Sequence, residues 1–199
     1  MNLFGPDPTH NLLPCDGIAS YFGSVIAAPQ ADRQLDELLR NTAWKNDEAI
    51  IFGKHIVTNR KSAWYGDAAY SYTYSKITRT ALPWTPELVQ LKQLVESLTE
   101  SPYNSCLLNL YHDGNDGMGW HSDNEPELAP NAPIASLSFG AERKFSLKHK
   151  VSGETISIML ESGSLLLMKG TIQTHWLHSV PKTKKVMQPR VNLTFRKMR

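Results

Sequence analysis

Leu88, Leu91, Val95 and Leu98 recur at the spacing of one helical face, with polar residues between them. Thr85 stands where an N-cap belongs and Pro86 where the first helical residue belongs, so a helix is predicted over 86–99. A second helix is predicted over 30–41, where Leu35, Leu38 and Leu39 share a face and Asp32 lies near the N-terminal end. Residues 1–20, rich in Pro, Asn and Gly, read as an irregular arm.

From about residue 105 the period shortens. The runs CLLNLY, APIASLSFG, RKFSLKH, TISIML, SLLLMKG and VNLTFRK are β-prone and separated by turn residues. Phe145 and Leu147 alternate with polar neighbours, as do Ile156, Ile158 and Leu160, and Ser152-Gly153 between them marks a hairpin. Many short strands at this spacing suggest a sandwich or jelly roll. Helices first and strands afterwards suggest an α+β fold with the helices on one side of the β core.

With 199 residues, the chain is long enough for one domain with a sizeable core. No apolar run approaches the roughly 20 residues that span a bilayer, and the N-terminal stretch lacks the basic-then-apolar order of a leader. Cys15 and Cys106 are far apart and neither belongs to a CxxC pair, so zinc and disulfide frameworks are not expected. That usage suits a reducing, cytoplasmic setting. The net charge of +2 permits a polyanionic partner without demanding one. Basic residues crowd the C-terminus at Lys182, Lys184, Lys185, Arg190, Arg196, Lys197 and Arg199, and composition alone reads them as a solvated tail.

Chemistry enters at Gly119-Trp120-His121-Ser122-Asp123-Asn124-Glu125. On an extended segment His121 and Asp123 share a face. With His178, several strands further on, they could form the two-histidine, one-carboxylate triad of non-haem iron oxygenases, which leaves positions open for a bidentate cosubstrate and dioxygen. His175 competes with His178, and spacing does not decide between them. His112 and Asp113 are adjacent and point apart on a strand, which makes them poorer co-ligands. The Asp113–Gly117 stretch lacks the glycine and glutamate positions of a calcium loop.

In Arg190-Val191-Asn192-Leu193-Thr194-Phe195-Arg196 the polar positions share one strand face. That face could meet solvent or line a polar cavity. Two guanidinium groups there suit a small dicarboxylate, and Asn109 with Tyr111 forms another i, i+2 polar pair that could orient it.

Together the strings IFGKH (51–55), WYGD (64–67), YTYS (72–75), NLYHDGNDGMGWHSDNEPELAPNAPIASLSFGAERKF (109–145) and THWLHSVPKTKKVMQPRVNLTFR (174–196) resemble the AlkB family of nucleic-acid dealkylating dioxygenases, especially its duplex-DNA repair branch. The likeness covers roughly residues 50–196. It implies iron(II) held by His121, Asp123 and His178, and 2-oxoglutarate held by Asn109, Tyr111, Arg190, Thr194 and Arg196. It implies a double-stranded β-helix core at about 105–197, a nucleotide-recognition lid at about 48–80 and an arm at 1–29, within a single domain over 1–199. Phe52, Gly53 and Lys54 resemble a duplex-probing finger, and Tyr72 and Tyr74 match positions near a flipped base. Asn124 stands where the family often has Asp, and Glu125 is expected to order the neighbouring loop.

The activity so implied is oxidative demethylation of 1-methyladenine and 3-methylcytosine in DNA or RNA, using dioxygen and turning 2-oxoglutarate into succinate and CO2 with release of an aldehyde. Lys182, Lys184 and Lys185 then read as phosphate contacts, and the protein is expected to act as a monomer without a membrane partner. Two other readings remain open at this point: a 2-oxoglutarate oxygenase of a protein or small molecule, and a non-catalytic nucleic-acid-binding jelly roll.

Overall fold

The structure is a computed structural model that describes residues 6–51, 54–74 and 77–199. In chain order the elements are β1 (Ile18–Ser24), α1 (Ala28–Asn41), β2 (Lys45–Ile51), β3 (Lys54–Gly66), β4 (Ser71–Tyr74), β5 (Ile77–Thr80), β6 (Leu82–Pro83) and α2 (Pro86–Thr99). They continue as β7 (Ser105–Tyr111), β8 (Met118–His121), β9 (Ile134–Gly140), β10 (Arg143–His149), β11 (Thr155–Leu160), β12 (Ser164–Lys169), α3 (Ile172–His175), β13 (Trp176–Val180) and β14 (Arg190–Arg196).

Two mainly antiparallel sheets carry the site. The larger runs β1-β12-β9-β14-β7-β3-β2, with β6 beside β3, and the smaller runs β11-β10-β13-β8. Both predicted helices are present. Thr85 caps α2 by accepting a hydrogen bond from Leu88 N–H at 3.3 Å, and Leu88, Leu91 and Val95 are buried. α1 starts at Ala28, two residues before the predicted start, because Pro29 fits the first turn.

Strict alternation divides the large sheet into two faces. Leu108, Leu137, Val191, Leu193 and Phe195 form one core with Ala31 and Leu38 of α1 and Leu88, Leu91 and Val95 of α2. The helices therefore lie on one side of the β layers, as expected. The other face turns toward the small sheet, whose Phe145, Leu147, Leu160, Trp176 and Val180 build a second core with Tyr111, Ile134 and Leu166. Every predicted strand run forms a strand, and Gly153 closes the β10–β11 hairpin at φ +74°. The arm is less irregular than its composition suggests: Ile18–Ser24 pairs with β12, with a register shift between Tyr21 and Gly23.

The C-terminal basic group does not behave as one solvated tail. Arg190 is only 1% exposed and Arg196 is largely buried, whereas Lys182, Lys184, Lys185, Lys197 and Arg199 are exposed. Strand alternation takes the two arginines inward.

Candidate active site

His121 ends β8, and His178 lies opposite it on β13 in antiparallel register. Their ring centres are 4.1 Å apart. Asp123 lies two residues beyond the end of β8, and its side chain meets that of His121. Its Oδ1 is 3.8 Å from Nε2 of both histidines. The three side chains offer ligand atoms all within 4.8 Å of one another.

His121 and Asp123 are oriented by hydrogen-bond partners on their far sides, and the His178 ring stacks on Phe145, 5.6 Å between centres. His121 Nδ1 donates to the Gly119 carbonyl at 2.9 Å, which leaves the Nε2 lone pair for a metal. Arg196 donates to Asp123 Oδ2 from Nε at 2.9 Å and from Nη2 at 2.6 Å, which leaves Oδ1 open. Gln173 Oε1 accepts from Asp123 N–H at 2.9 Å and fixes the backbone. Burial would raise the Asp123 pKa, but Arg196 and the two imidazoles outweigh it and hold the carboxyl at about 2. Burial pulls His178 down to about 4 against the opposing pull of Asp123. At neutral pH these two groups are a carboxylate and a neutral imidazole, the forms a metal needs.

The rival ligands are occupied elsewhere. His112 Nδ1 pairs with Asp116 Oδ2 at 2.9 Å, and Asp113 Oδ1 accepts from Asn115 N–H at 2.7 Å. His175 ends α3 and faces the His149 ring, 6.4 Å away. Among the described residues one other cluster has metal-ligand spacing, Cys15, Asp16 and His149. There Ser152 N–H donates to His149 Nδ1, so Nε2 carries the proton and donates to Asp16 Oδ2 at 3.2 Å; it has no lone pair to offer.

The polar face of β14 lines the space between the sheets. Arg190, Asn192 and Arg196 sit opposite Tyr111, Asn109 and Ser105 of β7, and Asn192 and Thr194 sit opposite Ser138 and Ser136 of β9. Arg190 Nη2 donates to Ser138 Oγ at 2.9 Å and to Asn192 Oδ1 at 2.7 Å. Asn192 Nδ2 donates to Thr194 Oγ1 at 2.9 Å. Nε and Nη1 of Arg190 are buried and have no hydrogen-bond partner. A buried guanidinium with two unused donors costs free energy unless an anion meets it. Burial draws Arg190 down to about 10; the Tyr111 phenol opposes that shift and Arg143 adds to it. The face therefore fits a small carboxylate ligand, and the triad fits a divalent metal of the iron type.

Sequence reasoning missed three contributors. Arg60 Nη1 donates to Asn109 Oδ1 at 2.8 Å, which occupies the amide oxygen and fixes the orientation of the Asn109 side chain; nothing in its local sequence marks Arg60. Arg143 lies with its guanidinium 5.7 Å from the Tyr111 ring centre, on a ring that Arg190 approaches to 5.3 Å. Asn192 belonged to the polar face read from sequence, but its role in tying Arg190 to Thr194 needs the register. Of the substrate residues read from sequence, Phe52 and Gly53 lie outside the described residues. Lys54, Tyr72 and Tyr74 are described as strand positions only. Asn124 and Glu125 line a cavity of about 300 Å³ beside Asp123 and Arg196. Burial and the nearby Asp123 push the Glu125 carboxyl up.

An incomplete ligand shell next to an anion-seeking guanidinium defines a class, the non-haem iron oxygenases that take a dicarboxylate cosubstrate. The 2OG-Fe(II) oxygenase superfamily profile matches residues 19–196. DNA oxidative demethylase ALKBH2 of Mus musculus is 40% identical over 208 residues, spanning 99% of this chain and 86% of the relative. The Bos taurus ALKBH2 is 46% identical over 96% of this chain and 72% of its own length. Alpha-ketoglutarate-dependent dioxygenase alkB homolog 3 of Mus musculus is 42% identical over 88% of this chain and 64% of its length. The solved structure of OsALKBH1 superposes with a TM-score of 0.60 at 16% identity, covering 93% of this chain and 98% of that one, which supports the fold alone. The protein belongs to the AlkB family of Fe(II)- and 2-oxoglutarate-dependent oxygenases.

Proposed function

We propose that this protein is a DNA oxidative demethylase that removes methyl groups from the Watson–Crick edge of 1-methyladenine and 3-methylcytosine. One observation carries the reading: two imidazoles and a carboxylate converge at one end of the polar face whose other end holds the buried Arg190 guanidinium, with its Nε and Nη1 unpartnered. The relatives that are DNA oxidative demethylases give the substrate class.

In this reading His121, Asp123 and His178 hold the iron inside a jelly-roll core. Asn109, Tyr111, Arg190 and Thr194 hold 2-oxoglutarate, with Arg196 bordering the same ligand while it fixes Asp123. Iron, dioxygen and 2-oxoglutarate together supply hydroxylation of the N-methyl carbon, the cosubstrate leaving as succinate and CO2. The protein groups do the rest. Arg190 neutralises the distal carboxylate, Asn192 keeps that guanidinium aimed, and Arg196 keeps Asp123 ionised. The hydroxymethyl product falls apart to formaldehyde and the restored base.

The segment at about 48–80 serves as the lid. Phe52, Gly53 and Lys54 probe the duplex, and Tyr72, Tyr74 and Asn124 meet the extruded base. Methylation there blocks pairing, so the damaged base is cheaper to extrude than an intact one. The protein acts as a monomer inside the cell. Incubating iron-loaded protein with a 1-methyladenine oligonucleotide and 2-oxoglutarate should shift the oligonucleotide mass down by one CH2 only when cosubstrate is present. An unchanged mass for every methylated strand, single or double, would refute the assignment.

A further inference from the structure

The small sheet has a second face that the proposed active site does not use. Phe145, Leu147, Ile156, Ile158, His178 and Val180 point toward the core or the site. The residues between them, Lys144, Ser146, Ser157 and Ser179, point the other way and line an open groove of about 420 Å³. Trp120 and Lys182 border it. Trp120 immediately precedes the ligand His121, yet it is 45% exposed, and Lys148 Nζ lies 5.9 Å from its ring centre. No Asp or Glu lines the groove. Beyond Trp120, Lys150 Nζ donates to Ser122 Oγ at 3.3 Å and to the Gln173 carbonyl at 2.9 Å. Cations thus run from beside the metal ligands, past the indole, to the far end of the sheet.

That far end is held in place. Arg143 Nη2 donates to the Pro181 carbonyl at 2.9 Å, and Thr183 N–H donates to the Gly114 carbonyl at 2.8 Å, which fastens the turn that carries Lys182. Gly114 is required there, because a Cβ would collide with the Thr183 carbonyl oxygen. Over the groove itself the space is open: a Cβ on Gly119 would meet nothing within 4 Å.

We propose that this groove binds a single nucleic-acid strand flanking the target base, with an unpaired base stacked on Trp120 and phosphates on Lys144, Lys148 and Lys182. The lining favours this occupant over a protein. Lysine is depleted at protein interfaces, whereas an exposed aromatic plate on a floor that includes Met118 and Pro181, with lysines along it and no carboxylate, suits a stacked, charged strand. The proposal rests on nucleic acid being the substrate. It adds a preference: a base can stack on Trp120 only when its partner strand is absent.

Binding of unmethylated 12-nucleotide strands to the full chain tests this without any turnover, using fluorescence anisotropy with single strand and blunt duplex of the same sequence. Trp120→Ala should weaken single-strand binding about tenfold and duplex binding less than about twofold, and Trp120→Phe should restore most of the loss. Lys148→Gln with Lys182→Gln should lower the salt slope by about 0.7 per lysine. Unchanged single-strand affinity in Trp120→Ala, or equal losses on both strand forms, would overturn the proposal. Demethylation is scored separately. Trp120-dependent binding without methyl loss would remove the demethylase reading and keep the groove, and the converse would do the opposite.

Discussion

Arg196 gives two hydrogen bonds to one oxygen of Asp123, and the other oxygen faces the two imidazoles. The arginine therefore does more than offer charge to a cosubstrate. It selects which carboxylate oxygen a metal meets and keeps that group ionised although it is buried.

Arg196→Met should lower Fe(II) affinity about 10- to 100-fold, the usual cost of losing a partner behind a ligand. Anaerobic titration calorimetry reads this directly. Unchanged metal affinity with weakened 2-oxoglutarate binding would mean that Arg196 acts on the cosubstrate alone.

Arg190→Met should do the reverse. Its buried guanidinium has two unused donors, and losing one partner of a buried charge pair costs about 2–5 kcal/mol. The Kd for 2-oxoglutarate should rise at least about 30-fold, with metal affinity within about twofold. A cosubstrate Kd close to that of the wild type would show that the dicarboxylate is held elsewhere.

Arg143 is a structural tie. It is 1% exposed and donates to the carbonyls of Asp113, Asp116 and Pro181 at 3.1, 2.8 and 2.9 Å. Arg143→Met leaves the buried Asp116 carbonyl unsatisfied, at about 1–3 kcal/mol. That loss should lower the Tm by at least about 2 °C in a chain of this size. An unchanged melting curve would contradict the clamp.

The metal-free protein should be acid-sensitive. Burial holds His178 at about 4 against an ordinary 6.5. Between those values the unfolded chain takes up a proton that the folded chain refuses. Stability is thus full above pH 6.5 and falls as the pH drops toward 4. Asp123, held at about 2 by Arg196 and the imidazoles against burial, adds stability above its ordinary 3.8 that is lost only toward pH 2. Urea denaturation should show a loss of about 2 kcal/mol from pH 7 to pH 5, and His178→Gln should flatten it. An equal slope in that variant would assign the acid sensitivity to other groups.

Much of this was legible in the sequence because it is periodic. The leucine stripe with Thr85 and Pro86 places α2 to the residue, and the alternation in 190–196 puts two arginines on one face. What local pattern does not carry is contact at a distance. Arg60 reaches Asn109 only because β3 pairs with β7. Arg143 reaches the loop after β7 from the other sheet. β1 was read as coil up to Ser20 because its turn-rich approach hides a strand that β12 stabilises. The i, i+2 spacing of His121 and Asp123 goes with side chains that meet in the structure, although only His121 lies within β8.

The central claim is that one ferrous ion sits among His121, Asp123 and His178. Anaerobic Fe(II) titration of the purified chain and its variants measures it most directly. The expected result is one ion per chain, with binding abolished in Asp123→Ala and His178→Ala and retained in His175→Ala and His112→Ala. Tight binding in His178→Ala together with loss in His175→Ala would contradict it.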